Sequence, residues 1–332
     1  MSGIRTAWLK AGEEEPLEPD LELVDPHHHL WDYPGNPYLA EDLARDAQRL
    51  SLRKSVFVEC GSKYRESGPD SLRPVGETEF VEALAREAEL LGAPCSVAAG
   101  IVGHADLLLG DAVDAVLEAH LAASPTRFRG IRHSAAWHPS EAIRESHSRP
   151  PPHMLTLAKF REGFGRLRHY DLSFDAWLFH DQLEELRDLA ERNSETRIIL
   201  NHVGGPLGIG PYAGKRAEVF EAWSRSIEAM ARCENVVMKL GGLQMAISGF
   251  RWHHRPQPPT SAELAAAVAP YYQHCIEHFG PDRCMFESNF PVDKVSCSYT
   301  VLWNAFKILS RPYSENERAA LFVDTALRIY RI

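Results

Sequence analysis

Apolar residues come in short runs along this chain, and most runs are followed by a stretch whose apolar positions recur at helical spacing. The runs cover 21–29, 55–60, 96–102, 128–133, 172–180, 197–202, 235–240 and 283–289. Each has strand length and is bounded by turn-forming or polar residues. Between them, 78–91 places Phe80, Leu84 and Leu91 close to one stripe, and 111–121 does the same with Val113, Val116, Leu117 and Leu121. Strand alternating with helix predicts an α/β fold with a parallel sheet. Eight such units predict a closed (β/α)8 TIM barrel as a single domain. The rival architecture, an open doubly wound sheet, calls for a G-x-G-x-x-G turn after the first strand, where this chain has His27-His28-His29.

The barrel is expected over 21–332, preceded by an N-terminal tail, 1–20, whose Glu13-Glu14-Glu15 and prolines read as solvated. Two βα loops are longer than a barrel needs. Residues 137–152 carry His138, Arg144, His147 and Arg149, and 248–259 carry Trp252, His253, His254 and Arg255 among prolines. Long loops at this end of a barrel build the mouth of the active site, and the second is expected to cover it.

Composition narrows the partners. A net charge of -10 and a pI near 5.9 argue against nucleic acid and anionic membrane, leaving a small-molecule substrate, with a homo-oligomer left open. No segment approaches the ~20 apolar residues of a membrane span, and the start carries no apolar leader. Six cysteines without a C-x-x-C pair read as reduced thiols, so a cytoplasmic location is expected.

The chemistry is expected at the C-terminal ends of the strands. The first ends in Asp25-Pro26-His27-His28-His29-Leu30-Trp31. His27 and His29 share a face, roughly 7 Å apart along a strand, and can converge on one metal ion or one reacting oxygen; His28 points the other way. The remaining ends offer Glu59, Arg132 with His133, His180, His202 and Asn289, with Asp293 just beyond. His202 precedes Val203-Gly204-Gly205, whose glycines let backbone approach a ligand.

The ordered set Asp25-x-His27-x-His29, Asn201-His202-Val203-Gly204 and Ser288-Asn289-Phe290-Pro291 resembles the amidohydrolase superfamily, in its branch of amidohydrolase-related lactonases. Pyrone-dicarboxylate lactonase and the sugar-acid lactonases belong to that branch. Phe128-Arg129-Gly130-Ile131-Arg132-His133, Phe174-Asp175-x-Trp177 and Ala326-Leu327-Arg328-Ile329-Tyr330 fit it as well, so the resemblance spans residue 21 to the C-terminus. It implies a hydrolase of a small carboxylate-bearing lactone or related cyclic ester or amide. His27, His29 and His202 would hold the carbonyl or a metal, and Arg132 would clamp the carboxylate. Trp31, His180, Trp252 and His253 are the further candidates to line the substrate.

One position departs from the pattern. The eighth-strand Asp that takes the proton from water in such enzymes is Asn289 here, and an amide is neither a base nor an anionic ligand. Asp293 is one substitute base, Glu59 or His180 is another, and a changed reaction is the third explanation. One divalent, zinc-like ion on His27, His29, His180 and His202 and a metal-free site are equally open. A metal-dependent non-oxidative decarboxylase and a non-catalytic ligand-binding barrel remain the alternatives.

Overall fold

A computed structural model describes residues 5–143 and 148–332; Arg144 and His147 of the first long loop lie outside the described residues. Eight parallel strands follow one another around a nearly closed barrel: β1 (Glu22–His28), β2 (Ser51–Val58), β3 (Ser96–Gly103), β4 (Phe128–Ile131), β5 (Ser173–Ala176), β6 (Ile198–Leu200), β7 (Val236–Leu240) and β8 (Cys284–Phe286). The circle closes just past the end of β8. There the Asn289 N–H donates to the His27 carbonyl at 2.9 Å and the His29 N–H to the Phe290 carbonyl at 2.7 Å. Amphipathic helices cover the outside. The helix Ser261–Phe279 starts at a capping box in which Thr260 accepts from the Glu263 N–H and Glu263 accepts from the Thr260 N–H.

Several strands are shorter than their apolar runs. β5, β6 and β8 stop before His180, His202 and Asn289, which therefore sit on the loops that follow. The backbone shows why for two of them. His202 (φ 53°) and Asn289 (φ 55°) adopt the left-handed conformation, which interrupts a regular strand ladder. β2 instead begins earlier than its apolar run, at Ser51, because Leu52 turns inward while Arg53 faces solvent.

Three apolar clusters set the vertical order of the molecule. The largest lies between strands and helices. Inside the barrel, Val56, Val102, Ile199, Val237 and Met285 form a layer closed from the strand N-terminal end by Ala326, Ile329 and Tyr330. The last helix, Thr325–Tyr330, is thus a plug. The third cluster sits on the mouth loops and includes Ile143, Trp177, Phe179 and Leu207.

The first residues are not a solvated tail. Thr6–Lys10 is a short helix with Leu9 buried. Glu14 accepts from the Ser261 N–H at 2.8 Å and from Asn304 Nδ2 at 3.1 Å, and Lys307 donates to the Leu17 and Glu18 carbonyls at 2.6 and 2.9 Å. The acidic and proline-rich composition suggested exposure, yet backbone carbonyls and a helix N-terminus supply partners that composition does not reveal. Among the described residues, no helix is long and apolar enough to cross a membrane.

Burial fixes an acid sensitivity. His28 and His133 are pushed down to about 3 and His120 to about 4, in each case because burial disfavours the imidazolium. The unfolded chain binds more protons than the folded one below the ordinary histidine value. Stability from these groups is therefore complete above pH ~6.5 and is lost as pH falls. Asp25, pushed up to about 6 by burial, and Asp293, also raised by burial, work in the opposite direction, but the buried imidazoles outnumber them. Urea unfolding at pH 5 should give a free energy several kcal/mol below that at pH 7, at roughly 2 kcal/mol per buried histidine less the carboxyl offsets. Equal stabilities at the two pH values would contradict the assignment of these imidazoles as buried and neutral.

Candidate active site

Strand parity carries the barrel interior from an apolar layer to a charged one. Val237 and Met285 face the inner layer, so Lys239 and Glu287, two residues further along β7 and past β8, face the same way. At this level Lys239, Asp175, Glu287, His27 and Glu59 are fully buried and Arg132 nearly so. Two fixed cations, Lys239 and Arg132, therefore face three carboxylates, Asp175, Glu287 and Glu59. With neutral imidazoles the cluster is short of positive charge.

Glu287 is the hub. Its Oε1 accepts from the His202 main-chain N–H at 3.1 Å and lies 2.6 Å from His202 Nδ1, while its Oε2 lies 2.7 Å from His27 Nδ1. A carboxylate only accepts, so His202 Nδ1 carries the proton and that imidazole is left with a lone pair on Nε2; His27 Nδ1 faces both Glu287 and the Lys239 ammonium, 3.3 Å away, and its proton is not fixed by Glu287 alone. The His27 ring lies 4.5 Å from that of His202 and 5.0 Å from that of His29. Burial above all holds His27, His29 and His202 below the ordinary histidine value; Lys239 adds to the effect at His27 and Arg132 at His29, while the Glu287 charge opposes it at His202.

The two cations are themselves held. Lys239 Nζ donates to Asp175 Oδ1 at 2.7 Å and lies 3.3 Å from His27 Nδ1. Asp175 Oδ1 also accepts from Tyr330 of the C-terminal plug at 2.8 Å and from Asn201 Nδ2 at 3.0 Å. Arg132 donates from Nε to Glu59 Oε1 at 2.7 Å and from Nη2 to the Glu59 carbonyl, which leaves Nη1 facing His27 Nε2 at 3.4 Å. One edge of the Arg132 fork, Nε with Nη2, is thus taken by Glu59.

His29 anchors the far side. Its Nδ1 lies 2.8 Å from the Val58 carbonyl, so that nitrogen is protonated and Nε2 is an acceptor. Nε2 faces the Asn289 side-chain amide at 3.3 Å, and the other end of that amide faces Asp293 Oδ1 at 2.9 Å. The chain of bonds closes when the Asn289 NH₂ points at His29 and its oxygen at a protonated Asp293. Burial pushes the Asp293 carboxyl well above the usual carboxylate range, in keeping with that arrangement.

The other expected residues lie around this group. Trp31 stacks at 6.1 Å on His29 and donates to the Asn36 carbonyl at 2.8 Å, within the small hairpin formed by Trp31–Tyr33 and Asn36–Tyr38. His180 packs edge-on to Tyr212, ring centroids 4.8 Å apart. Trp252 stacks on Phe250 at 5.7 Å. The loop bearing Trp252 and His253 is pinned from outside, by Arg5 to the His253 carbonyl at 2.7 Å and Trp8 to the Arg255 carbonyl at 3.0 Å. Of the four histidines expected as ligands, His27 and His202 converge with Glu287, their donor atoms within 4.8 Å of one another; His29 and His180 are outside that group.

Backbone strain marks the same place. His202, Val203, Gly204 and Gly205 are all left-handed, and Val203 is β-branched, a conformation that costs about 1–3 kcal/mol and survives only where its surroundings impose it. Opposite, Gly241 and Gly242 lie so close to Glu287 and His202 that a Cβ would come within 2.3 and 2.4 Å of their side chains. Glu287, Lys239 and Asp175 had no place in the roles expected from the sequence. Glu287 shares its face with Asn289, which is the signal that identifies it.

Residues 24–332 match the sequence profile of a family described as Amidohydrolase. An uncharacterised protein, y4mH, of Sinorhizobium fredii is 33% identical over 335 residues, covering 94% of this chain and 99% of its own. An L-fucono-1,5-lactonase of Burkholderia multivorans is 25% identical over 323 residues, covering 93% of this chain and 96% of its own. A crystal structure of a Burkholderia multivorans amidohydrolase with bound zinc aligns with a TM-score of 0.71 at 24% identity, over 93% of this chain and 99% of that one.

Removing one member of the buried ion pair tests how the site is held. Lys239→Met should lower the unfolding free energy by about 3–5 kcal/mol, because Asp175 is left charged in the interior. Adding Asp175→Asn should recover part of that loss. A single mutant as stable as the parent in urea would contradict the pairing.

Proposed function

We propose that this chain, which belongs to the amidohydrolase family, hydrolyses a lactone, with Glu287 and His202 handling the proton of the attacking water. The observation that carries this reading is the Glu287 bridge between His27 and His202. With Nδ1–H held by the carboxylate, His202 has Nε2 available as a base. Water adds its oxygen to the lactone carbonyl carbon as its proton passes to Nε2. The ring C–O bond then breaks, and the same proton goes to the departing alkoxide, giving the open hydroxy acid. The Arg132 Nη1 and Lys239 ammonium groups beside His27 favour the oxyanion that forms in between.

Asp293 is less suited to the role of base. Burial pushes its carboxyl well above the usual carboxylate range and its Oδ1 is engaged by the Asn289 amide at 2.9 Å, so it acts instead by orienting Asn289 and so His29. The lactone-acting relative of Burkholderia multivorans supports the substrate class. With the Arg132 fork engaged by Glu59, the reading favours a neutral ring over one that depends on a carboxylate clamp.

His27, His202 and Glu287 also suit a metal. Two nitrogens and one carboxylate, all buried and mutually within 4.8 Å, form a donor set for a zinc-like ion in a cluster short of positive charge. Bound there, such an ion would polarise the lactone carbonyl.

The purified protein, assayed on sugar-acid 1,4- and 1,5-lactones, should turn over at least one of them. Glu287→Gln should lower kcat by ~10²–10⁴ with the fold retained, the usual scale of acid–base catalysis. Asp293→Asn should stay within about tenfold of the parent, because it keeps a side-chain oxygen that can pair with the Asn289 amide. Full activity in Glu287→Gln would sink the dyad, and loss confined to Asp293→Asn would return the base to that residue.

A further inference from the structure

Gln244 is a buried amide with nothing to bond to. It is 1% exposed, and neither Nε2 nor Oε1 has a hydrogen-bond partner among the described residues. Buried amides are almost always satisfied, so an orphan of this kind calls for an explanation. Its main chain is fully engaged. Ser296 Oγ donates to the Gln244 carbonyl at 2.6 Å, and the Gln244 N–H donates to the Asp293 carboxyl. The residue is therefore fixed in place while its functional end is left over.

Its position is equally specific. Gln244 follows β7 by four residues, two past Gly242 of the glycine pair that lies against Glu287 and His202. Its main-chain partner Asp293 bonds Asn289, which faces His29, and Asp293 Oδ2 is a second buried atom without a hydrogen-bond partner. Unpartnered polar atoms of Gln244 and Asp293 thus lie on the loops that follow β7 and β8, linked through Asn289 to His29.

We infer that Gln244 is a substrate-binding residue that pairs with a ring hydroxyl of the lactone. The inference rests on the lactonase reading and assigns a residue that decides which lactone is taken. A primary amide offers one donor end and one acceptor end, and a hydroxyl both donates and accepts, so hydroxyls on the ring satisfy both ends. A carboxylate would satisfy only Nε2, and an alkyl group neither. A site built this way rejects the analogue that lacks the hydroxyl, because binding it would leave the amide unpaired.

The test compares wild type, Gln244→Met and Gln244→Glu on two probes, L-fucono-1,5-lactone and δ-valerolactone, which has the same ring size without hydroxyls. Gln244→Met should raise KM for the hydroxylated lactone by ~10–100-fold with a smaller change in kcat, and leave kcat/KM for δ-valerolactone within about twofold. Its Tm should match or exceed that of wild type, because an unpaired buried amide has been replaced by an apolar chain of similar size. Gln244→Glu keeps the shape and an acceptor, and should fall between the two in KM. Unchanged KM for the hydroxylated lactone in both variants overturns the assignment, and a lowered Tm with unchanged KM gives the amide to a structural water instead. A wild type inert toward both probes overturns the lactonase reading and takes this assignment with it. An active wild type with insensitive variants overturns this assignment alone.

Discussion

A single carboxylate, Glu287, organises the mouth of this barrel by holding two imidazoles at once. It sits in an interior layer where Lys239 and Arg132 are paired with Asp175 and Glu59, all of them removed from water. Burying so many charges is costly, and the arrangement persists only if every group is held in a position that keeps its partner within reach. Much of the remaining structure serves that end. The plug helix sends Tyr330 up to Asp175, and Gly241 and Gly242 bring the β7 backbone against Glu287 and His202. Asp25 accepts from Ser288 Oγ at 2.5 Å and Tyr299 at 3.0 Å, which ties β1 to the segment carrying Glu287 and Asn289.

The position of the carboxylate explains how the site accommodates Asn289. Glu287 reaches His27 and His202 and Asn289 reaches His29, so an acid at the first and an amide at the second leaves a negative charge facing the same interior. The amide then serves another purpose. It links His29 to Asp293, and its neutrality suits an Asp293 whose carboxyl burial pushes well above the usual carboxylate range. A second ionised carboxylate at 289 would face Asp293 and stand two residues from Glu287, where like charges in a dry interior oppose one another.

The barrel was legible because its periodicities are strong. Long apolar runs at regular spacing, each followed by an amphipathic helix, leave few alternatives. His27, His29 and His202 were legible as well, since histidines at several strand ends are unusual for packing alone. What escaped was the support of those histidines. Lys239 stands alone among apolar neighbours and Glu287 ends an apolar run, and a lone charge carries no signature of its partner, which comes from a different strand or loop. The docking of residues 5–20 was hidden for a related reason. Its partners are the Ser261 N–H, Asn304 and Lys307, almost the full length of the chain away. The Arg132 clamp was read from residue type, whereas its geometry depends on Glu59 at the end of β2.

The account stands on the claim that Glu287 fixes the protonation of His202, and ¹⁵N NMR of the ring nitrogens in metal-free protein measures that directly. Near neutral pH, His202 should show a protonated Nδ1 and an unprotonated Nε2, and in Glu287→Gln that pattern should shift or broaden. A wild-type spectrum with the proton of His202 on Nε2, unchanged by Glu287→Gln, would contradict it.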